Sequence, residues 1–300
     1  METTYFQQIE NIIGKNLERR GMDKIKLDGQ LEKAVRELFH GNRIFIVTGF
    51  VIKQTLTGET DGPIGAISLA SALEQMGKEV VLVTDQYSGD LLYRGLKTKG
   101  MNTLVEIIYH EKELELSKKL IEKYRPSHVV AIERPGRAID GRIYSMRGED
   151  LSDLVPNTDI LFEESKKQGI ITIAVGDGGN EIGMGKIRPY IVDAVHKGDQ
   201  ICAAFETDIL IIAGVSNWGG HALAAALSLE AQRMLLHDLN TERALLKSIV
   251  QSGAVDGCTK KRTLTVDGLS LAENLAVLKS LIDLVESMLA AKNSVCLSVS

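Results

Sequence analysis

Six short apolar runs, separated by stretches of helical periodicity, constrain this chain more than any other feature. They occupy residues 43–48, 79–84, 103–108, 127–132, 170–175 and 208–213, and most are rich in Val and Ile. Continuous apolar runs of this length read as strands covered on both faces. Between and after them lie helical segments at 63–76, 91–99, 111–124, 161–168 and 218–236. The first opens on Pro63 and closes at Gly77, matching the usual asymmetry of helix ends. The alternation predicts an α/β fold: a doubly wound, mostly parallel, Rossmann-like sheet of about six or seven strands, with helices on both faces in three layers.

The ends of the chain are helical. Phe6, Ile9, Ile13 and Leu17 fall on one helical face, and Leu31, Val35 and Leu38 on another. Helices at 242–250 and 271–290 close the chain. We expect one domain over residues 1–300, with a helical N-terminal extension at 1–40 and a helical C-terminal part at 238–300.

With 44% hydrophobic and 25% charged residues, the composition is that of an ordinary globular protein. A net charge of −5 without a long basic run argues against a nucleic-acid partner. The most apolar stretch, 209–215, is too short to span a bilayer, so no membrane partner is expected. Cys202, Cys258 and Cys296 are odd in number and lack metal-site spacing, which points to free thiols in a reducing compartment. The N-terminus has no signal or transit character, and the expected location is cytoplasmic.

Unusual residues gather just after the strands, where a parallel sheet would place them along one rim. The first strand is followed by Gly58-Glu-Thr-Asp-Gly-Pro63. Its Glu59, Thr60, Asp61 and Gly62 stand at a helix start, whose free N–H groups favour an anion; a simple helix cap is the alternative. After the fourth strand come Glu133, Arg134 and Arg137, then Arg142, in a long loop at 133–157. Guanidinium forks bind carboxylates in pairs, or brace such a loop through ion pairs.

The run from Ala174 to Gly185 holds five glycines with Asp177, Asn180 and Glu181. It fits neither the dinucleotide fingerprint, which needs glycine at Glu181, nor the P-loop, which needs glycine at Asn180 and Ser or Thr at Ile187. Gly178 and Gly179 give backbone access to a ligand, and Asp177 and Glu181 are candidates for proton transfer. With Glu133 they are the candidate ligands for Mg²⁺ or Mn²⁺; hydrogen bonds that merely hold the loop are the alternative. The last strand leads to Ser216, Asn217, Trp218 and His221. Ser216 is not in a nucleophile elbow, Asn217 can cap a helix, and His221 is a candidate base.

Four of these segments together resemble the C-terminal domain of the D-glutamate cyclase family. They are Glu59-Thr-Asp-Gly-Pro63, Ala131-Ile-Glu-Arg-Pro-Gly-Arg-Ala138 with Asp140-Gly141, Val175-Gly-Asp-Gly-Gly-Asn-Glu-Ile-Gly-Met-Gly-Lys186, and Ile211-Ile-Ala-Gly-Val-Ser-Asn-Trp-Gly-Gly220. The resemblance implies dehydration of D-glutamate to 5-oxo-D-proline, a small acidic substrate. Anchoring then falls to Arg134, Arg137 and the helix start at Asp61, and proton transfer or metal binding to Asp177, Glu181 and Glu133. Larger members join this domain to a hydro-lyase-like one. A separate hydro-lyase-like partner, or a homo-oligomer, is therefore expected, and a non-catalytic module binding an acidic metabolite or nucleotide is the alternative function.

Overall fold

The computed structural model describes residues 4–25 and 27–298, with side chains up to residue 292. Six strands build the central sheet: β1 (Arg43–Thr48), β2 (Glu79–Thr84), β3 (Leu104–Ile107), β4 (His128–Ile132), β5 (Ile171–Gly176) and β6 (Ile209–Ile212). Their order is β3-β2-β1-β4-β5-β6, and every neighbouring pair is parallel. The expected α/β sheet with helices on both faces is present, with six strands among the described residues. The chain winds outward from β1 to β3, returns to β4, and winds outward the other way. The reversal lies between β1 and β4, where an open α/β sheet forms its ligand crevice.

The sheet alternates its side chains between two apolar layers, as the two-residue period of a strand requires. Ile44, Ile46, Val130, Ile132, Ile173 and Val175 face a layer containing α1 (Tyr5–Ile13), α2 (Gln30–His40) and α3 (Pro63–Gln75). The same layer holds α4 (Gly89–Lys99) and the later helices α9 (Ser216–Glu230), α10 (Leu239–Gln251) and α11 (Leu271–Ser298). Phe45, Val47, Val129, Ala131 and Ala174 face α5 (Glu113–Tyr124), α6 (Asp159–Lys167) and α7 (Arg188–Ala194). The short α8 (Gly198–Ile201) follows α7. Each fully buried Ile or Leu in these layers contributes about 1.5–3 kcal/mol.

Helices α3 and α9 are apolar nearly all round and are buried along almost their whole length. They cross at a point of backbone contact. A Cβ on Gly65 would stand 2.7 Å from the Cα of Asn217, and one on Gly220 would stand 2.5 Å from the carbonyl oxygen of Gly65.

The terminal segments depart from their periodicity. Helix α1 stops at Ile13, so Leu17 leaves the expected face and enters a tight turn at Leu17–Arg20. That turn lies between Asn16 and Gly21, both left-handed. Helix α9 ends at Glu230, short of 236, and α10 begins at Leu239, where Asp238 accepts from the Thr241 N–H at 2.7 Å. Two short antiparallel ladders, Val51–Ile52 with Thr57–Gly58 and Thr265–Val266 with Leu269–Ser270, were not expected; two residues are too few to show alternation. Among the described residues no helix is long and apolar enough to cross a membrane.

Candidate active site

Register brings the loops together. Thr48 pairs with Ile132, Ile132 with Val175, and Gly176 with Ile212, so the segments after β1, β4, β5 and β6 leave one rim side by side. Glu133, the first residue past β4, is left-handed at φ 47°. A bulky residue rarely adopts that conformation, and such strain gathers at functional sites. Gly62 faces it at φ 94°, and a Cβ there would lie 2.7 Å from the Glu133 Cβ.

The starts of α3 and α9 are satisfied by each other. Asp61 accepts from the N–H groups of Ser216 at 2.9 Å and Asn217 at 2.7 Å. The Asn217 Oδ1 accepts from the N–H groups of Gly62 at 2.9 Å and Gly65 at 2.7 Å. Asn217 also donates to the Thr60 carbonyl at 3.0 Å, and the Thr60 hydroxyl donates to the Thr265 carbonyl at 2.9 Å. These donors, expected for an anion, are engaged by protein groups.

The glycine loop folds around Glu181. Its carboxylate accepts from the N–H groups of Asp177 at 3.0 Å, Gly178 at 2.7 Å and Gly179 at 2.6 Å. Asn180 donates to the Tyr144 carbonyl at 2.7 Å. Asp177 is aimed elsewhere: its Oδ1 accepts from Arg20, and its buried Oδ2 has no hydrogen-bond partner.

Arg20 comes from the turn after α1 and also bridges to Asp267. Asp267 and Gly268 are left-handed at φ 56° and 76°, as the two centres of a type I′ hairpin turn must be. Neither Arg20 nor Asp267 was expected at the rim. The Asp-Gly turn signal was readable in the sequence, but not where the turn lands.

A cavity of about 280 Å³ opens here. Glu59, Glu133 and Asp267 line it together with Arg20. Arg19, Lys53, Arg147 and Lys260 add positive charge to its wall. Lys53 and Arg147 donate to neutral carbonyls, of Asp150 at 2.8 Å and Cys258 at 2.9 Å. The cavity lies just under the roughly 300–1,000 Å³ typical of drug-sized ligands, a size suited to a small metabolite.

Burial drives the chemistry of this cluster. It pushes the Glu133 carboxyl well above the usual range, and the charges of Glu181, Asp61 and Glu59 push the same way. Burial also raises Glu59, with Asp267 and Asp61 adding to it. Asp61 is pushed up to about 7 by burial and by Asp267, against the pull of two N–H donors. Asp177 is raised by burial in spite of Arg20. The Cys258 thiol is pushed up to about 12 by burial and Asp267, so it stays protonated. Carboxyls whose proton affinity is raised in this way suit acid–base work.

The other candidates lie apart from the cavity. Arg134 is fully buried and brings together Thr158 at 2.9 Å, the Gly49 carbonyl at 2.9 Å, the Pro156 carbonyl at 3.2 Å and Asp85 at 2.5 Å. Arg137 pairs with Asp159 at 3.3 Å and Glu163 at 2.6 Å, and Arg142 with Asp150 at 3.5 Å. His221 sits inside α9, 3.3 Å from Glu242 of α10, whose other oxygen meets His237 at 2.6 Å. Ser216 donates to Glu133 at 2.5 Å. Three groups among the described residues could hold a metal ion: Asp61 with Asp177 and Asp267; Glu133 with Asp177 and Glu181; and His221 with His237 and Glu242.

Comparison with known proteins places these segments in context. A family model described as D-glutamate cyclase-like, C-terminal, matches residues 9–282. The human protein "D-glutamate cyclase, mitochondrial" is 37% identical over 235 residues, covering 74% of this chain and 38% of that protein. The chain thus matches well under half the length of this relative. A solved exopolyphosphatase-related protein from Bacteroides fragilis aligns over 87% of this chain and 58% of its own, at 11% identity and a TM-score of 0.42, too weak a likeness to carry an argument. The chain belongs to the D-glutamate cyclase-like C-terminal family.

Proposed function

We propose that this chain is a carbon–oxygen lyase that cyclises D-glutamate to 5-oxo-D-proline and water in the cavity lined by Glu59, Glu133, Asp267 and Arg20. The observation that carries this reading is a small cavity lined both by carboxyls whose proton affinity burial raises and by cations. The reaction needs both. Two protons leave the ammonium nitrogen, the nitrogen bonds to the γ-carboxyl carbon, and one γ-oxygen departs with both protons as water. No proton is gained or lost overall, so an acid and a base that exchange protons within the site suffice. In this reading Glu133, held by Ser216, takes a proton from the ammonium in its ionised form, whose proton affinity burial has raised. Glu59, kept protonated by burial, supplies one to the departing oxygen. Lys53 and Arg147 draw the substrate carboxylates to the wall. Holding the open chain curled, amine against carboxyl, accounts for a further large part of the rate.

Purified chain given D-glutamate, with and without Mn²⁺, should release 5-oxoproline. Glu133→Gln should lower that rate by about 10²–10⁴ while the circular dichroism spectrum stays unchanged. Full turnover by Glu133→Gln would remove Glu133 from the chemistry. The cations on the cavity wall suit a second reading as well, a non-catalytic module that binds an acidic metabolite. Saturable binding of D-glutamate without product would favour it.

A further inference from the structure

We propose that Asp61, Asp177 and Asp267 hold one divalent cation, Mg²⁺ or Mn²⁺, against the acidic floor of the cavity. The cation's chemical role rests on the cyclase reading; its binding does not. The three residues come from the start of α3, the end of β5 and the hairpin before α11, and each offers an oxygen within 4.8 Å of the other two. Opposite ligands of an octahedral Mg²⁺ stand about 4.2 Å apart, so the cluster already has the span of a coordination shell.

One observation besides the cluster itself points to a cation here. The buried Oδ2 of Asp177 has no hydrogen-bond partner, although a buried carboxylate oxygen almost always has one. Charge gives the same direction. Arg20 is the guanidinium that touches this floor, bridging Asp177 and Asp267, while Glu59, Asp61 and Glu133 also feel its charge. One guanidinium shared among these carboxyls leaves a place for further positive charge, and close carboxylates repel strongly when shielded from water.

The donors select the ion. All are hard carboxylate oxygens, which favour Mg²⁺ or Mn²⁺ over softer metals. The sequence alone pointed to Glu181 and Glu133 as partners of Asp177. Glu181 accepts three backbone N–H groups, and so does Asp61, from Gly62, Ser216 and Asn217; what distinguishes the set proposed here is Asp267, which the far end of the chain brings to the cavity wall. Glu133, Asp177 and Glu181 form a second carboxylate group of the same span, and Asp267 is the residue whose substitution separates the two. A cation in this place would polarise a γ-carboxyl oxygen and ease its departure.

Mn²⁺ binding to the chelator-treated full chain, followed by electron paramagnetic resonance, tests this without substrate. We expect one Mn²⁺ per chain, displaced by excess Mg²⁺. Asp267→Asn should weaken it at least tenfold. Asn is at home in the left-handed first position of an Asn-Gly hairpin turn, so this variant keeps its fold. Asp177→Asn should do the same, and Glu242→Gln should not. Absence of Mn²⁺ binding, or unchanged binding in Asp267→Asn, overturns the site. Mn²⁺ binding without 5-oxoproline formation would sink the cyclase reading alone; turnover by chain that binds no Mn²⁺ would sink the cation site alone.

Discussion

Asp61 and Asn217 cap each other's helices: each side chain accepts two N–H groups from the first turn of the helix that the other begins. The exchange locks α3 to α9 at the rim and fixes where Asp61 stands. Removing either partner leaves buried donors unpaired. Asn217→Ala should cost about 2 kcal/mol in urea denaturation. In a double-mutant cycle with Asp61→Ala, the coupling should be about 1 kcal/mol or more. Additive losses would show that the two caps act separately.

The crossing of α3 and α9 leaves no room for a methyl group. A Cβ on Gly220 would press on the Gly65 backbone, which cannot swing aside as a side chain can. Gly220→Ala should destabilise the protein by about 1–3 kcal/mol or prevent folding. A melting temperature within error of the parent would contradict this packing.

Buried Arg134 and the wall cations should respond differently to mutation. Arg134→Lys removes a forked donor from a buried ion pair with Asp85 and should cost about 3–5 kcal/mol. Its effect on the KM for D-glutamate should be small in whatever protein remains folded. Lys53→Ala or Arg147→Ala should shift stability by no more than about 0.5 kcal/mol and raise KM. A raised KM in Arg134→Lys, with normal stability, would return Arg134 to the substrate.

Glu242 gives a pH signature away from the cavity. Burial alone would raise its carboxyl, but His221 and His237 outweigh burial and hold it below the usual range. A depressed carboxyl stabilises the fold above its unfolded pKa, and the contribution is lost as pH falls through the folded value. Glu242→Gln should therefore cost about 3 kcal/mol where the histidines are charged, with the gap narrowing below about pH 4.5 as Glu242 protonates and again toward neutrality, where burial leaves His237 uncharged. Urea melts across that range would expose a pH-independent gap, which the ion-pair account forbids.

Much of the fold was legible because its signals are local. The Val- and Ile-rich runs became β1 to β6, Pro63 opens α3, and the polar loops reach one rim because parallel strands all end on the same side. Glu59 and Glu133 could be placed at the cavity on that ground alone. The roles of their neighbours could not. An Asp before a helix reads as a cap for that helix, yet Asp61 caps another. An Arg after a strand reads as an anchor, yet Arg134 spends its donors on buried protein groups.

The sequence by itself determined the layers, the strand-end rim and the family, since these follow from short-range periodicity and from residues adjacent in the chain. Tertiary structure alone decided that Arg20 and Asp267 meet Asp177, nearly the full length of the chain apart. Their meeting depends on α1 and α11 packing against α9, where apolar faces set the position of a turn and a hairpin that carry no periodic signal of their own.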